Sequence, residues 1–271
     1  MKRIVTYTLF FLLAGCMLFF SLRAYGEAKA YEDATMKIVK EMTPKSLTEL
    51  QLREWAQKLS FGLYTNEQRQ KLERLRQQKQ LHKAASRHYM HWVMGCLLLF
   101  GAGYFFVSLR VFTFFGAFAA WIMLFFGLIT PILMVTIHKQ VAYLGDVVLS
   151  FESKSIVGSL VKLYDHGDVT VAAVILLFSV LIPFVKTFFL MFVSLFMQSR
   201  FAHGIVRFFK VIGKWSMVDV FVVATFLVYL SVDKGDISRA ETGTGLYFFL
   251  AYVIMSMLVS LSADRMLHRA K

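Results

Sequence analysis

Six stretches of this chain are long and apolar enough, or nearly so, to cross a lipid bilayer, and nothing else in the sequence constrains its fold as strongly. A helix needs about 20 predominantly apolar residues to span a hydrocarbon core of roughly 30 Å. The stretches lie at 4–22, 89–108, 111–137, 169–197, 217–232 and 245–262, the fifth being the shortest. Lipid offers backbone N–H and C=O groups no water, so a spanning segment must satisfy them internally as a helix. The expected fold is therefore all-α: a polytopic membrane protein with six transmembrane helices and an extramembrane helical hairpin between helices 1 and 2. With 58% hydrophobic and 17% charged residues, a soluble domain of this size could not hide its apolar surface. The excess of 30 Lys and Arg over 17 Asp and Glu then reads as topogenic charge and attraction to anionic headgroups, and no nucleic acid partner is expected.

One sizeable polar region, residues 23–88, carries 14 Lys or Arg and 8 Asp or Glu. Ser46 with Glu49, and Thr65 with Gln68, fit capping boxes, and no Gly or Pro interrupts 66–94. A helix starting after Thr65 is expected to run unbroken into the second span, with the Leu47, Leu50, Leu52, Trp55 and Leu59 set facing Leu72, Leu75 and Leu81 in the hairpin. Orientation follows from the short segments. A cytoplasmic N terminus places ten Lys or Arg inside (Lys2, Arg3, Arg110, Arg200, Arg207, Lys210, Lys214, Arg265, Arg269, Lys271) against five outside (Lys139, Lys154, Lys162, Lys234, Arg239). Both termini are thus expected in the cytoplasm, although Lys79, Lys83 and Arg87 then stand outside, close to the membrane. Leu13-Ala14-Gly15-Cys16 resembles a lipobox and Ala28-x-Ala30 a signal-peptidase site, but an uncleaved anchor is the expectation.

Ionisable groups inside a span are costly, and each is a functional candidate by default. Lys186 lies in the fourth span three residues after Pro183, and Asp219 one turn into the fifth. Pro183 deprives the Ser179 carbonyl of its helical hydrogen bond, which opens a kink lined by polar backbone. A polar cleft near Ser179, Pro183, Lys186, Asp219 and Thr225 is the candidate substrate-binding or transport site; the alternative is a Lys186–Asp219 pair that only fixes helix packing. Pro131, after Thr130, is expected to act on the third span in the same way. Gly116 and Ala120 form a small-xxx-small pair for close helix contact. His88 and His91 lack a third ligand, Gly243-x-Gly245 follows no strand, and Cys16 and Cys96 lie in separate spans, so no metal site, cofactor or nucleotide loop is expected. No nucleophile with a base and no carboxylate dyad stands out, so the chain does not read as an enzyme.

Residues 213–221 read Gly-Lys-Trp-Ser-Met-Val-Asp-Val-Phe, and this string, with Trp215, Ser216, Met217, Asp219 and Phe221 opening an apolar span, resembles the signature of the paraquat-inducible protein A family. Thr130-Pro131, Gly167-Asp168, Ile182 to Lys186 and Gly243 to Leu246 agree with it. The resemblance covers 112–261 and implies a four-helix unit at 111–271; the chain's own pattern sets before it, as a departure from the family, an anchor at 1–23, a periplasmic hairpin at 24–88 and a second transmembrane helix at 89–110. It further implies a bacterial inner-membrane protein that moves phospholipid or another lipid between membranes, beside an MCE-domain periplasmic tunnel protein. The zinc ribbons and second unit of many relatives have no counterpart here, and a second copy of the chain could supply the missing unit. The alternative function is a non-transporting scaffold that anchors a periplasmic partner through the hairpin.

Overall fold

The computed structural model describes residues 2–41, 67–141, 145–195, 204 and 238–269. Within them the sequence builds five helices long and apolar enough to cross a membrane. The first, α1 (Lys2–Glu41), and the second, α2 (Glu67–Phe106), have 40 residues each. At 1.5 Å per residue each is about 60 Å long, twice the hydrocarbon thickness, so one half of each must stand outside it. The expectation of an unbroken helix from the polar region into the second span is met. The hairpin is thus made by the polar halves of two membrane helices, which pack along each other. The Leu47 to Leu59 set and both capping boxes fall wholly or partly outside the described residues.

After a two-residue break at Val107 and Ser108, α3 (Leu109–Ile129) turns back, so Arg110 lies in its first turn and not in the connection. α3 is the axis of the fold. Its Ala117, Ala119, Ala120 and Met123 are fully buried, and α1, α7 (Thr244–Arg269) and α6 (Ile182–Leu195) pack on it. At Gly116 an added Cβ would fall 2.8 Å from the Val259 side chain and 2.9 Å from that of Met255, and at Gly127 it would meet the α7 backbone, 3.0 Å from Phe249 N. Two buried polar bonds tie the same pair: Thr113 Oγ1 donates to Ser262 Oγ at 2.9 Å, and Ser262 Oγ to the Leu109 carbonyl at 3.1 Å. Apolar side chains on the outer faces, such as Phe11, Leu98 and Phe105, are exposed, as lipid contact requires.

The third span does not reach Ile137. α3 ends at Ile129 because Pro131 has no N–H and its ring forces the residue before it out of the helical region; Thr130 is extended (φ −79°, ψ 142°). Pro131 therefore terminates this helix instead of kinking it. The apolar run that follows, Leu133 to Ile137, becomes strand β1 (Leu133–Val141), which pairs antiparallel with β2 (Gly145–Lys154) and β3 (Ser238–Thr242) in the order β2-β1-β3, with an irregularity between Ile137 and His138. This small sheet, absent from the sequence-based expectation, caps one end of the otherwise all-α polytopic bundle.

Beyond β2, a short helix α4 (Ile156–Asp165) is capped by Ser155, whose hydroxyl accepts from the Gly158 N–H. It ends in Gly167, whose φ of +89° explains a glycine before Asp168. A continuous rod then runs from α5 (Val169–Ile175) through a π-helical turn (Leu176–Leu181) into α6. The π turn lies just before Pro183, and it is how the backbone accommodates the ring.

Candidate functional site

Of the sequence-derived site residues, Ser179, Pro183 and Lys186 are buried on the π-helical and following turns of one rod. Before Pro183 the rod widens into that π-helical turn, where Ile182 N–H reaches back to the Leu177 carbonyl. Around it the Pro183 carbonyl accepts from Thr187 Oγ1 at 2.8 Å and from the Tyr252 hydroxyl of α7 at 3.3 Å, a polar seam in an apolar bundle. Phe184 stacks on Trp121 of α3 with ring centroids 4.6 Å apart, which seats the rod. Lys186 is only 6% exposed, and among the described residues it has no ion-pair or hydrogen-bond partner. Asp219, Thr225, Trp215, Ser216, Met217 and Phe221 lie outside the described residues. The two histidines singled out at 88 and 91 are both exposed and bond within α2. Among the described residues no group of three His, Cys, Asp or Glu side chains could hold a metal.

Two sequence features 113 residues apart meet at the sheet end. Gly243 N–H donates to the Ile132 carbonyl at 2.7 Å, and Gly245 N–H to the Pro131 carbonyl at 2.9 Å. A Cβ on Gly243 would stand 2.1 Å from the Pro131 oxygen, and one on Gly245 2.3 Å from the Thr130 oxygen. The Gly-x-Gly is thus a backbone joint that lets β3 and α7 seat directly on the turn closing α3.

Beside this joint is a cavity of about 610 Å³, which the sequence reading did not find. One wall is α2, where Lys83, Arg87 and His91 follow at i, i+4 and i+8 on one stripe and Ser86, Met90 and Met94 on the next. Each stripe rises about 12 Å; the first stays polar throughout, and the second changes from Ser86 to methionine at the expected membrane boundary. Opposite stand Pro131, Met134, Thr244 and Tyr247, with Tyr31 of α1 and Glu241 of β3 at the polar end. The available signal was the cluster of Lys79, Lys83 and Arg87, which broke the charge rule. What it could not give was the partner surface.

Glu241 organises the polar end. Its Oε2 accepts from the Tyr31 hydroxyl at 2.6 Å and from Lys83 Nζ at 2.7 Å, while Lys79 and Lys83 lie 5.4 and 5.7 Å from the Tyr31 ring centre. Nearby, Ser86 Oγ bonds Thr244 Oγ1 at 2.9 Å and the Ala24 carbonyl at 3.2 Å, so α1, α2 and the β3–α7 junction are locked together. Burial opposes ionisation of Glu241, but the bonds from Lys83 and Tyr31 and the charges of Lys83 and Lys79 outweigh it and hold the carboxyl below its ordinary value. A depressed carboxylate stabilises above its unfolded pKa, about 4.3, and loses that contribution as pH falls through the folded value. Thermal unfolding in detergent should show Glu241→Gln less stable than the parent at pH 7, with the gap narrowing below about pH 4.5. A gap unchanged from pH 7 to pH 3 would contradict the assignment.

A family model described as Paraquat-inducible protein A matches residues 112–269. A Haemophilus influenzae protein described as "Probable intermembrane transport protein" is 26% identical over 116 residues, 41% of this chain and 27% of that one. The "Intermembrane transport protein PqiA" of Escherichia coli K12 is 28% identical over 125 residues, 44% of this chain and 30% of that one, and the Shigella flexneri protein of the same description matches equally. The chain thus spans less than a third of the length of these curated relatives. No solved structure matches.

Proposed function

Because this chain belongs to the paraquat-inducible protein A family, we propose that it is an inner-membrane component of a system that moves lipids between the inner and outer membranes, working with an MCE-type tunnel protein on the periplasmic side. The observation that carries this reading is the match of 112–269 to the family model, together with the likeness over 116 and 125 residues to proteins described as intermembrane transport proteins. The multi-pass helical bundle gives it a physical basis, since a lipid carrier needs both an apolar path and a polar place for the headgroup. Lys186, in the proline-widened rod with Ser179 and Pro183, is the proposed intramembrane contact, with Asp219 and Thr225 supplied by the fifth span. Catalysis has no part in this reading.

In this proposal both termini are cytoplasmic, and the sheet and the hairpin at 24–88 face the periplasm. Six crossings are supported by the chain ends that flank 196–237. Leu195 lies beside Arg110, which donates to its carbonyl at 3.0 Å, whereas Ser238 pairs with Ile137, just past the other end of α3. A chain leaving one face and re-entering at the other has crossed an odd number of times. Cysteine accessibility checks the orientation: Gln77→Cys on the exposed face of α2 should react with an impermeant maleimide added to spheroplasts. Labelling only after lysis would invert the topology.

The function is tested by deleting the gene in its host and following pulse-labelled phospholipid from inner to outer membrane, with an affinity-tagged copy recovered from membranes for partners. Slowed transfer and recovery of an MCE-domain protein are expected. Unchanged transfer with the same partner recovered would leave the scaffold reading instead.

A further inference from the structure

Only part of the cavity wall belongs to the family-matched residues: Pro131, Met134, Glu241, Thr244 and Tyr247 lie within 112–269, whereas Tyr31, Lys83, Arg87 and His91 come from the N-terminal extension. The cavity therefore exists because the extension docks on the unit. Its contents are chemically graded. Two cations, Lys83 and Arg87, lie toward one end, and Met90 and Met94 follow along α2 toward the other, beside His91, while Met134 pairs with Glu241 across the sheet. The carboxylate there, Glu241, already bonds Lys83 and Tyr31, while Arg87 has no salt bridge among the described residues. About 610 Å³ falls within the range of pockets that enclose a small molecule, which suits a headgroup and the first carbons of its chains. A soluble anion would have no use for the methionine floor, and a neutral acyl chain none for the cations.

We propose that this cavity binds the headgroup of an anionic phospholipid, with Arg87 and Lys83 contacting the phosphate, the methionines receiving the chain roots, and Glu241 acting as the internal counter-ion that the phosphate displaces from Lys83. A guanidinium presents two parallel donors to a phosphate, and Lys a movable point charge. Glu241 holds Lys83 in place while the cavity is empty. The site rests on the lipid-transport reading for its purpose, but its occupancy can be measured without any transport.

The full chain, delipidated in a neutral detergent, is titrated with short-chain fluorescent phosphatidylglycerol, with phosphatidylcholine and inorganic phosphate as competitors. Phosphatidylglycerol is expected to bind and to be displaced by excess phosphatidylglycerol at least tenfold better than by phosphatidylcholine, and not by millimolar phosphate. Arg87→Gln should weaken binding about tenfold or more with the melting temperature unchanged, and Arg87→Lys should restore part of it. Glu241→Gln, which frees Lys83 and removes a negative charge, should tighten it. Equal affinity for both lipids, displacement by free phosphate, or parental binding by folded Arg87→Gln would each overturn the proposal. Loss of transport in the deletion strain together with any of these outcomes would remove this site and leave the function. Binding as expected with transport unaffected would do the reverse.

Discussion

Gly243→Ala is expected to be among the most damaging single-methyl changes this chain can receive. The added Cβ would sit 2.1 Å from the Pro131 oxygen and 2.8 Å from its carbonyl carbon, and neither is the movable end of a side chain. Relief must come from shifting β3 or the turn that ends α3, which breaks the Gly243–Ile132 and Gly245–Pro131 bonds. It would also pull Glu241, two residues away, from Tyr31 and Lys83. Overpacking alone costs about 1–3 kcal/mol, and the lost bonds add to it, so the melting temperature in detergent should fall by several degrees at least. Gly26→Ala provides the contrast. No heavy atom lies within 4 Å of a Cβ there, on a 40-residue helix, so alanine should be neutral or stabilise by up to about 1 kcal/mol. Equal melting temperatures for the two variants would show that the joint yields more easily than its geometry implies.

Lys186→Met is expected to leave membrane abundance unchanged or raised while abolishing most lipid transfer. A lone charge at mid-bilayer costs roughly 2.5–3.5 kcal/mol on insertion scales, and this lysine is 6% exposed with no partner among the described residues. Methionine keeps the stem and removes that cost, whereas a purely structural Lys186–Asp219 pair predicts a single variant of lowered abundance, with Asp219 left unpaired, and a double variant restored to full abundance and activity. If Lys186 contacts the lipid instead, the stable variant should fail in transport, and so should Lys186→Met combined with Asp219→Asn. Abundance and pulse-labelled transfer measured on both variants separate the two accounts. Full transfer in the stable double variant would reject a direct role for the charges and leave packing as their purpose.

Of the six spans read from the sequence, the one at 217–232 lies outside the described residues, and the other five were legible because lipid permits so few solutions. Twenty apolar residues with no water to serve the backbone must form a helix, whatever its neighbours do. The unbroken run into the second span and the tight packing at Gly116 followed from equally local rules. Placement of the cavity did not. Lys83 and Glu241 are 158 positions apart, and Tyr31 and Glu241 are 210 apart. Their meeting depends on the hairpin packing onto the sheet end, and no local periodicity records that. The sheet was hidden for a related reason: Leu133 to Ile137 is apolar enough to extend a span, and its conversion to strand needs the pairing edges of β2 and β3. By itself, then, the sequence determined that this chain is a polytopic helical membrane protein, since solvent alone enforces that outcome. Only the tertiary structure decided where its basic stripe finds a carboxylate and an apolar floor, because such a site is made by contacts between distant segments.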